Sequence, residues 1–146
     1  MKSVSCLCAT LLLALCGCAH TAVAEDAALA AEWRELRQVA GHHAGGPWRQ
    51  DLDAWQGRKH QLMQSLAERL LAEKPDAAGV RALMGEPDRR VAAGAAEHAD
   101  WLRRTQWQGE PDGELWSYHW RGDHDQLLVA MVGGRVGAVG WLYAWE

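Results

Sequence analysis

Apolar residues recur every three or four positions in the first half of this chain and every second position in its last third, so helices should precede strands. Residues 25–40 predict a helix, with Leu29, Trp33, Leu36 and Val39 or Ala40 on one face among Glu, Arg and Gln. Gly41 ends it. The following His42-His43-Ala44-Gly45-Gly46-Pro47 combines adjacent glycines with a proline, which predicts a hinge. From Asp51 a second stripe runs through Leu52, Trp55, Leu62, Leu66 and Leu70, weakened at Gly57 by about 1 kcal/mol relative to alanine. Pro75 stops that helix and Asp76 is placed to cap a third, from Ala77 to Met84. Gly85 then falls where a left-handed glycine ends a helix, and Pro87 forbids continuation.

Residues 88–113 are ambiguous, since 91–93 suit a strand while 95–104 have the alanine and charge content of a helix, and they read as a connection. Glu110-Pro111-Asp112-Gly113 predicts a turn. Trp116, Tyr118 and Trp120 then alternate with Leu115, Ser117 and His119, the period of a strand with unlike faces. Residues 121–125 turn the chain, 127–132 form a continuous apolar strand, and Gly133-Gly134 predicts a hairpin into a last strand over 135–145. That strand places Val139, Trp141, Tyr143 and Trp145 on one face and Val136, Ala138, Gly140, Leu142 and Ala144 on the other. The small residues Gly137, Ala138 and Gly140 predict close approach of helices to the sheet. The fold class is α+β: a two-layer domain with N-terminal helices packed on a C-terminal three-stranded antiparallel meander.

The N-terminus reads as an export signal, with Lys2 as its positive start and residues 7–15 as its apolar run, too short to span a bilayer. Leu15-Cys16-Gly17-Cys18 resembles the lipobox of bacterial lipoproteins, which implies cleavage before Cys18 and acylation of its sulfur with diacylglycerol and palmitate-type chains. Cleavage after Ala22 or Ala24 is the alternative, because Ala22-Val23-Ala24 also fits the small-x-small rule. Several acyl chains, each buried methylene adding about 0.8 kcal/mol, give stable membrane attachment. Ala19 is not the aspartate that resembles an inner-membrane retention signal, so the lipobox implies a periplasm-facing anchor in the outer membrane. The expected division is a signal at 1–17, an anchor with helix and hinge at 18–50, and the α+β domain at 51–146.

All four cysteines, Cys6, Cys8, Cys16 and Cys18, belong to the signal or its end, so no disulfide can staple the following 128 residues and a hydrophobic core must hold them. Without Lys2, 14 basic residues face 19 acidic ones, which excludes an electrostatic footprint for nucleic acid. Nine Trp, no Phe and two Tyr make an unusual aromatic set. Trp116, Trp120, Trp141 and Trp145 are candidates for a partner surface, or for core packing against Leu62, Leu66, Leu70, Val80 or Leu83.

Catalytic chemistry has little material. Beyond Cys18 there is no thiol, and the serines Ser65 and Ser117 fall on a predicted helix and inside a strand, neither of which makes a nucleophile elbow. His119, Asp123, His124 and Asp125 surround one turn and suggest a divalent metal, as His42-His43 do more weakly, but the turn and strand roles of these residues explain them more simply. The reading is therefore no enzyme, no cofactor and no metal.

The stretch 80–88, Val-Arg-Ala-Leu-Met-Gly-Glu-Pro-Asp, followed by Trp116-Ser117-Tyr118 and the apolar run 127–136 turned at Gly133-Gly134, resembles the SmpA/OmlA (BamE-like) family of outer-membrane lipoproteins. The likeness covers roughly residues 60–146 and the lipobox. The helix and hinge before residue 51 and the long segment between Pro87 and Trp116 depart from the family's short members. The resemblance implies a non-enzymatic envelope-assembly or interaction module, with envelope proteins as partners and a role in outer-membrane protein assembly. The alternative is a periplasmic binding protein whose Trp-rich sheet face takes a small ligand or envelope polymer. A face left bare by the helices would favour the latter, a covered one the former.

Overall fold

The computed structural model describes the backbone of residues 11–144 and the side chains of residues 23–144. Lys2, Cys6, Cys8 and Trp145 lie outside the described residues, as do the side chains of Cys16 and Cys18. The chain builds α1 (Leu11–Arg37), a single 3-10 turn (His42–Ala44), α2 (Gln50–Asp53), α3 (Arg58–Glu73) and α4 (Ala77–Met84). There follow β1 (Arg89–Val91), α5 (His98–Arg104), β2 (Gln106–Gly109), β3 (Glu114–Arg121), β4 (Asp125–Val132) and β5 (Arg135–Tyr143). The α+β class and the order of helices before strands are as the pattern predicts.

The sheet has five strands rather than three, in the order β1-β3-β4-β5-β2, all antiparallel. The expected meander is its centre. Both added strands are edges drawn from the segment read as a connection, and they are too short to carry a periodic signal of their own. β1 exists because Arg89, Arg90 and Val91 pair with Ser117, Trp116 and Leu115. β2 exists because Gln106 to Gly109 pair with Trp141 to Ala138. Between them α5 brings Trp101 over the sheet's second face, against Val91, Leu115, Leu128, Ala130, Ala138 and Leu142.

The larger core lies on the other face. There Trp33 of α1, Met63, Leu66 and Leu70 of α3, and Val80 and Met84 of α4 meet Trp116, Tyr118, Trp120, Leu127, Val129 and Val139. α1 therefore shares one core with the stretch 51–146. Its Trp33 is fully buried and donates from Nε1 to the Met84 carbonyl at 2.9 Å.

Two local expectations are corrected. The stripe from Leu52 to Leu70 is not one helix: α2 is a single turn, Gln56 takes φ 61°, and α3 restarts at Arg58. Gly57 permits the break, since a Cβ there would lie 2.5 Å from the Gln50 carbonyl oxygen. Trp55 consequently leaves the core stripe and is 56% exposed. On β5 the pairing slips between Ala130–Ala138 and Met131–Val136, leaving Gly137 as a bulge. The extra residue reverses alternation, so Val136 joins Val139 on the helix-covered face instead of opposing it.

The small residues of β5 also meet something other than helices. A Cβ on Gly140 would meet Thr105 Cγ2 at 2.6 Å and the Gln106 carbonyl oxygen at 2.8 Å, and one on Gly137 would meet Val132 Cγ2 at 2.4 Å. The close neighbours belong to the sheet's own strands and the residue leading into β2. Asp76 caps α4, accepting from the Gly79 amide at 2.9 Å. Gly85 has the positive φ expected, 77°, but ψ of −171° takes it out of the left-handed helical well into a region open essentially to glycine alone.

Candidate functional site

The antiparallel seating of α1 on α3 gives the molecule two distinct ends. Asp26 pairs with Arg69 at 2.6 Å, and Glu32, six residues on, pairs with Arg58 at the start of α3. The Arg58 guanidinium beside Glu32 holds its carboxyl below the usual range. The backbone of Cys18 lies in α1 eight residues before Asp26, about 12 Å further along the helix at 1.5 Å per residue. The lipidation candidate is thus carried toward the end where α3 finishes. The Pro75 carbonyl there accepts from the Val136 amide, beside the Gly133-Gly134 hairpin. Among the described residues no helix is long and apolar enough to cross a membrane.

The opposite end gathers aromatic and histidine side chains. β3 finishes there at Arg121, β4 starts at Asp125 and β5 finishes at Tyr143. Trp141 and Tyr143 stack with ring centroids 5.7 Å apart and planes 1° from parallel, and Trp55 packs 5.8 Å from Tyr143. Burial raises the Tyr143 hydroxyl to about 12. His60, with no accessible surface, sits among Trp120 at 4.3 Å, Trp55 at 4.6 Å and Trp141 at 5.0 Å. Among the described residues neither of its ring nitrogens has a hydrogen-bond partner. Burial first, and the nearby Arg121 cation second, depress it to about 4, so it is neutral at physiological pH. Beside this cluster the hinge sets His43 5.0 Å from His124 and Trp48 6.3 Å from His42. Trp48 is 54% exposed.

The four indoles singled out in the sequence do not form one exposed surface. Trp116 and Trp120 are 2% exposed, in the same core as Leu66, Leu70 and Val80, while Leu83 packs at its edge. Each satisfies its N–H: Trp120 Nε1 donates to the Leu52 carbonyl at 2.9 Å and Trp116 Nε1 to Glu114 Oε2 at 2.8 Å. Trp141 is half-buried, and Trp145 lies outside the described residues. Among the described residues the exposed indoles are Trp48 and Trp55, in the hinge and break that precede α3. Their signal was local: Pro47 and Gly57 stand next to or near them and forbid a regular element that would carry them inward.

The residues weighed for metal binding disperse. Asp125 pairs with Arg121 at 3.2 Å and accepts from the Ala144 amide at 3.2 Å, while the His119 amide is held by Asp88 at 2.7 Å. Among the described residues no group of three His, Cys, Asp or Glu side chains converges on a point. Ser117 is fully buried on the sheet's second face and donates to Gln126 Oε1 at 2.5 Å, while Ser65 is half-buried on α3.

No protein-family model, curated protein or solved structure matches this chain. The fold and its two ends define a small α+β module with an aromatic cluster remote from the N-terminal end of α1.

Proposed function

We propose that this protein is a non-enzymatic outer-membrane lipoprotein, anchored through acylated Cys18, that acts as a periplasmic interaction or envelope-assembly module. The observation that carries the reading is the polarity of α1. The helix bearing Cys18 is pinned to α3 by Asp26–Arg69, Glu32–Arg58 and buried Trp33, and it leaves the body at the end remote from Trp48 and Trp55. β5 alone spans about 30 Å between these ends, at about 3.3 Å per residue. An anchor in the inner leaflet then turns the aromatic end toward the periplasm, where an envelope protein can cover it. Exposed tryptophans beside Arg and His side chains are the composition that protein interfaces favour.

The alternative, a ligand or polymer taken by a Trp-rich sheet face, needs that face bare. α3 and α4 cover it over Trp116 and Trp120, which favours the assembly reading. The resemblance of residues 60–146 to the SmpA/OmlA family points the same way and makes outer-membrane protein assembly the process to examine first.

Membrane fractionation of the Cys18→Ala variant tests the anchor. A folded protein released from the outer membrane is the expected result, and one that still sediments with it contradicts the reading. Crosslinking from position 48 or 55 in cells tests the display. Adducts with envelope proteins are expected there and not from position 133.

A further inference from the structure

A cleft of about 270 Å³ opens between the end of α1, the 3-10 turn and the end of β3. Its polar wall carries three cations, Arg37, Lys59 and Arg121, and two carboxylates, Asp53 and Asp88. The carboxylates are already committed. Asp53 accepts the His42 amide at 3.0 Å on one oxygen and the Arg49 amide at 2.8 Å on the other. Asp88 takes the Arg37 guanidinium at 2.8 Å and the His119 amide at 2.7 Å. Two of the cations are committed as well, for Arg37 also donates to the Met84 carbonyl, and Arg121 donates to the Asp53 carbonyl and pairs with Asp125.

Lys59 differs. It is 8% exposed, its ammonium donates to the Trp120 carbonyl at 2.9 Å, and among the described residues it forms no ion pair. The ammonium also lies 6.0 Å from the Trp33 ring centroid. An ammonium has three N–H donors, and a buried charge with one neutral acceptor is costly unless an anion completes it. Burial lowers the Lys59 pKa, which is the same deficit seen as proton affinity.

We infer that this cleft binds a small monocarboxylate, whose carboxylate pairs with the Lys59 ammonium and whose short apolar body lies against Leu52, Val39 and Trp120. The charge balance selects a monoanion, because Arg37 and Arg121 already pair with Asp88 and Asp125, among the described residues Lys59 is the wall's one cation without an ion pair, and a dianion would bury an uncompensated charge. The volume selects a small ligand, since it falls below the range of about 300–1,000 Å³ typical of sites for drug-sized molecules. Nothing in this inference depends on the lipid anchor or on a protein partner covering Trp48 and Trp55.

Calorimetric titration of the purified full-length protein with sodium butyrate, sodium phosphate and butylammonium chloride at matched ionic strength tests it. Butyrate should bind saturably, phosphate and butylammonium should not, and Lys59→Met should weaken butyrate at least tenfold while circular dichroism reports a folded chain. Ala40→Trp, at an exposed position on the rim, should block butyrate sterically without touching Lys59. It decides the matter alone if Lys59→Met does not fold. The inference is overturned if butyrate gives no saturable heat, if the folded variants bind it as the parent does, or if phosphate or butylammonium binds as well as butyrate.

Discussion

Trp33 on α1 and Met84 at the end of α4, 51 residues apart, are joined by a buried hydrogen bond of 2.9 Å from the indole N–H to the backbone carbonyl. The same carbonyl accepts from Arg37 at 2.9 Å, so one turn of α1 closes the end of α4 twice. Trp33→Ala should cost about 3–5 kcal/mol by emptying a core site, a large fraction of a small domain's stability. Trp33→Phe keeps most of the apolar volume and leaves Arg37 on the carbonyl, so it should cost about 1–2 kcal/mol. Urea denaturation of both variants measures the difference. A cost of Trp33→Ala no larger than that of Trp33→Phe, both below about 1 kcal/mol, would show that α1 does not share the core.

Gly85 supports the same corner through its backbone. With φ 77° and ψ −171° it occupies a conformation that side chains disfavour by about 1–3 kcal/mol, and a Cβ would sit 3.1 Å from Arg37 Nη1. Gly85→Ala should lower the thermal midpoint and Gly85→Val should lower it further. Gly85→Asn should give no relief, because asparagine tolerates the left-handed helical well and not this region. A parent-like midpoint for all three would show that the conformation is not required.

His60 makes stability depend on pH. Its folded pKa, about 4, lies below the ordinary 6.5, so between those values the unfolded chain binds the proton and the folded one does not. Its contribution is complete above pH 6.5 and declines as pH falls toward 4, by up to about 3 kcal/mol on the scale of 1.36 kcal/mol per pKa unit. His60→Leu should flatten the pH dependence of the unfolding free energy across this window. It should also stabilise the protein at pH 5, since it removes two buried nitrogens that have no partner among the described residues. An unchanged slope would mean that His60 does not stay neutral in the fold.

Trp48 and Trp55 should dominate the quenchable tryptophan fluorescence, because they are 54% and 56% exposed while Trp33, Trp116 and Trp120 are 2% exposed or less. Iodide quenching of Trp48→Phe and Trp55→Phe variants should each remove a share of the accessible signal, and Trp120→Phe should remove none. Strong quenching of Trp116 or Trp120 would mean that the helices do not cover the sheet.

The sequence revealed those parts whose pattern is local. Asp76 before Ala77, Pro75 after α3 and the alternation 116-118-120 each carry their own physical cause, and the helices and the central meander follow from them. β1, α5 and β2 depend on pairing with distant partners, as Arg89 with Ser117 and Gln106 with Trp141, and short edge strands leave little periodic trace. Val136 was misplaced because the Gly137 bulge reverses alternation only once β4 is its neighbour. Trp55 was misplaced because three turns of helical spacing run through a break that Gln56 and Gly57 make in space. The aromatic end was therefore partly hidden. Trp55 falls on the helical stripe in the sequence, Trp48 carries no pattern of its own, and for Trp120 and Trp141 the alternation allows a partner surface or core packing alike.

Membrane orientation tests the account most directly. No cysteine follows Cys18, so a single introduced cysteine at position 55 or 133 of the lipidated chain can take a nitroxide label with no competing thiol in the domain. In vesicles carrying a membrane-restricted relaxation agent, the label at 133 should relax strongly and the label at 55 weakly, as an aromatic end about 30 Å further from the anchor requires. Equal relaxation at the two positions, or stronger relaxation at 55, would contradict it.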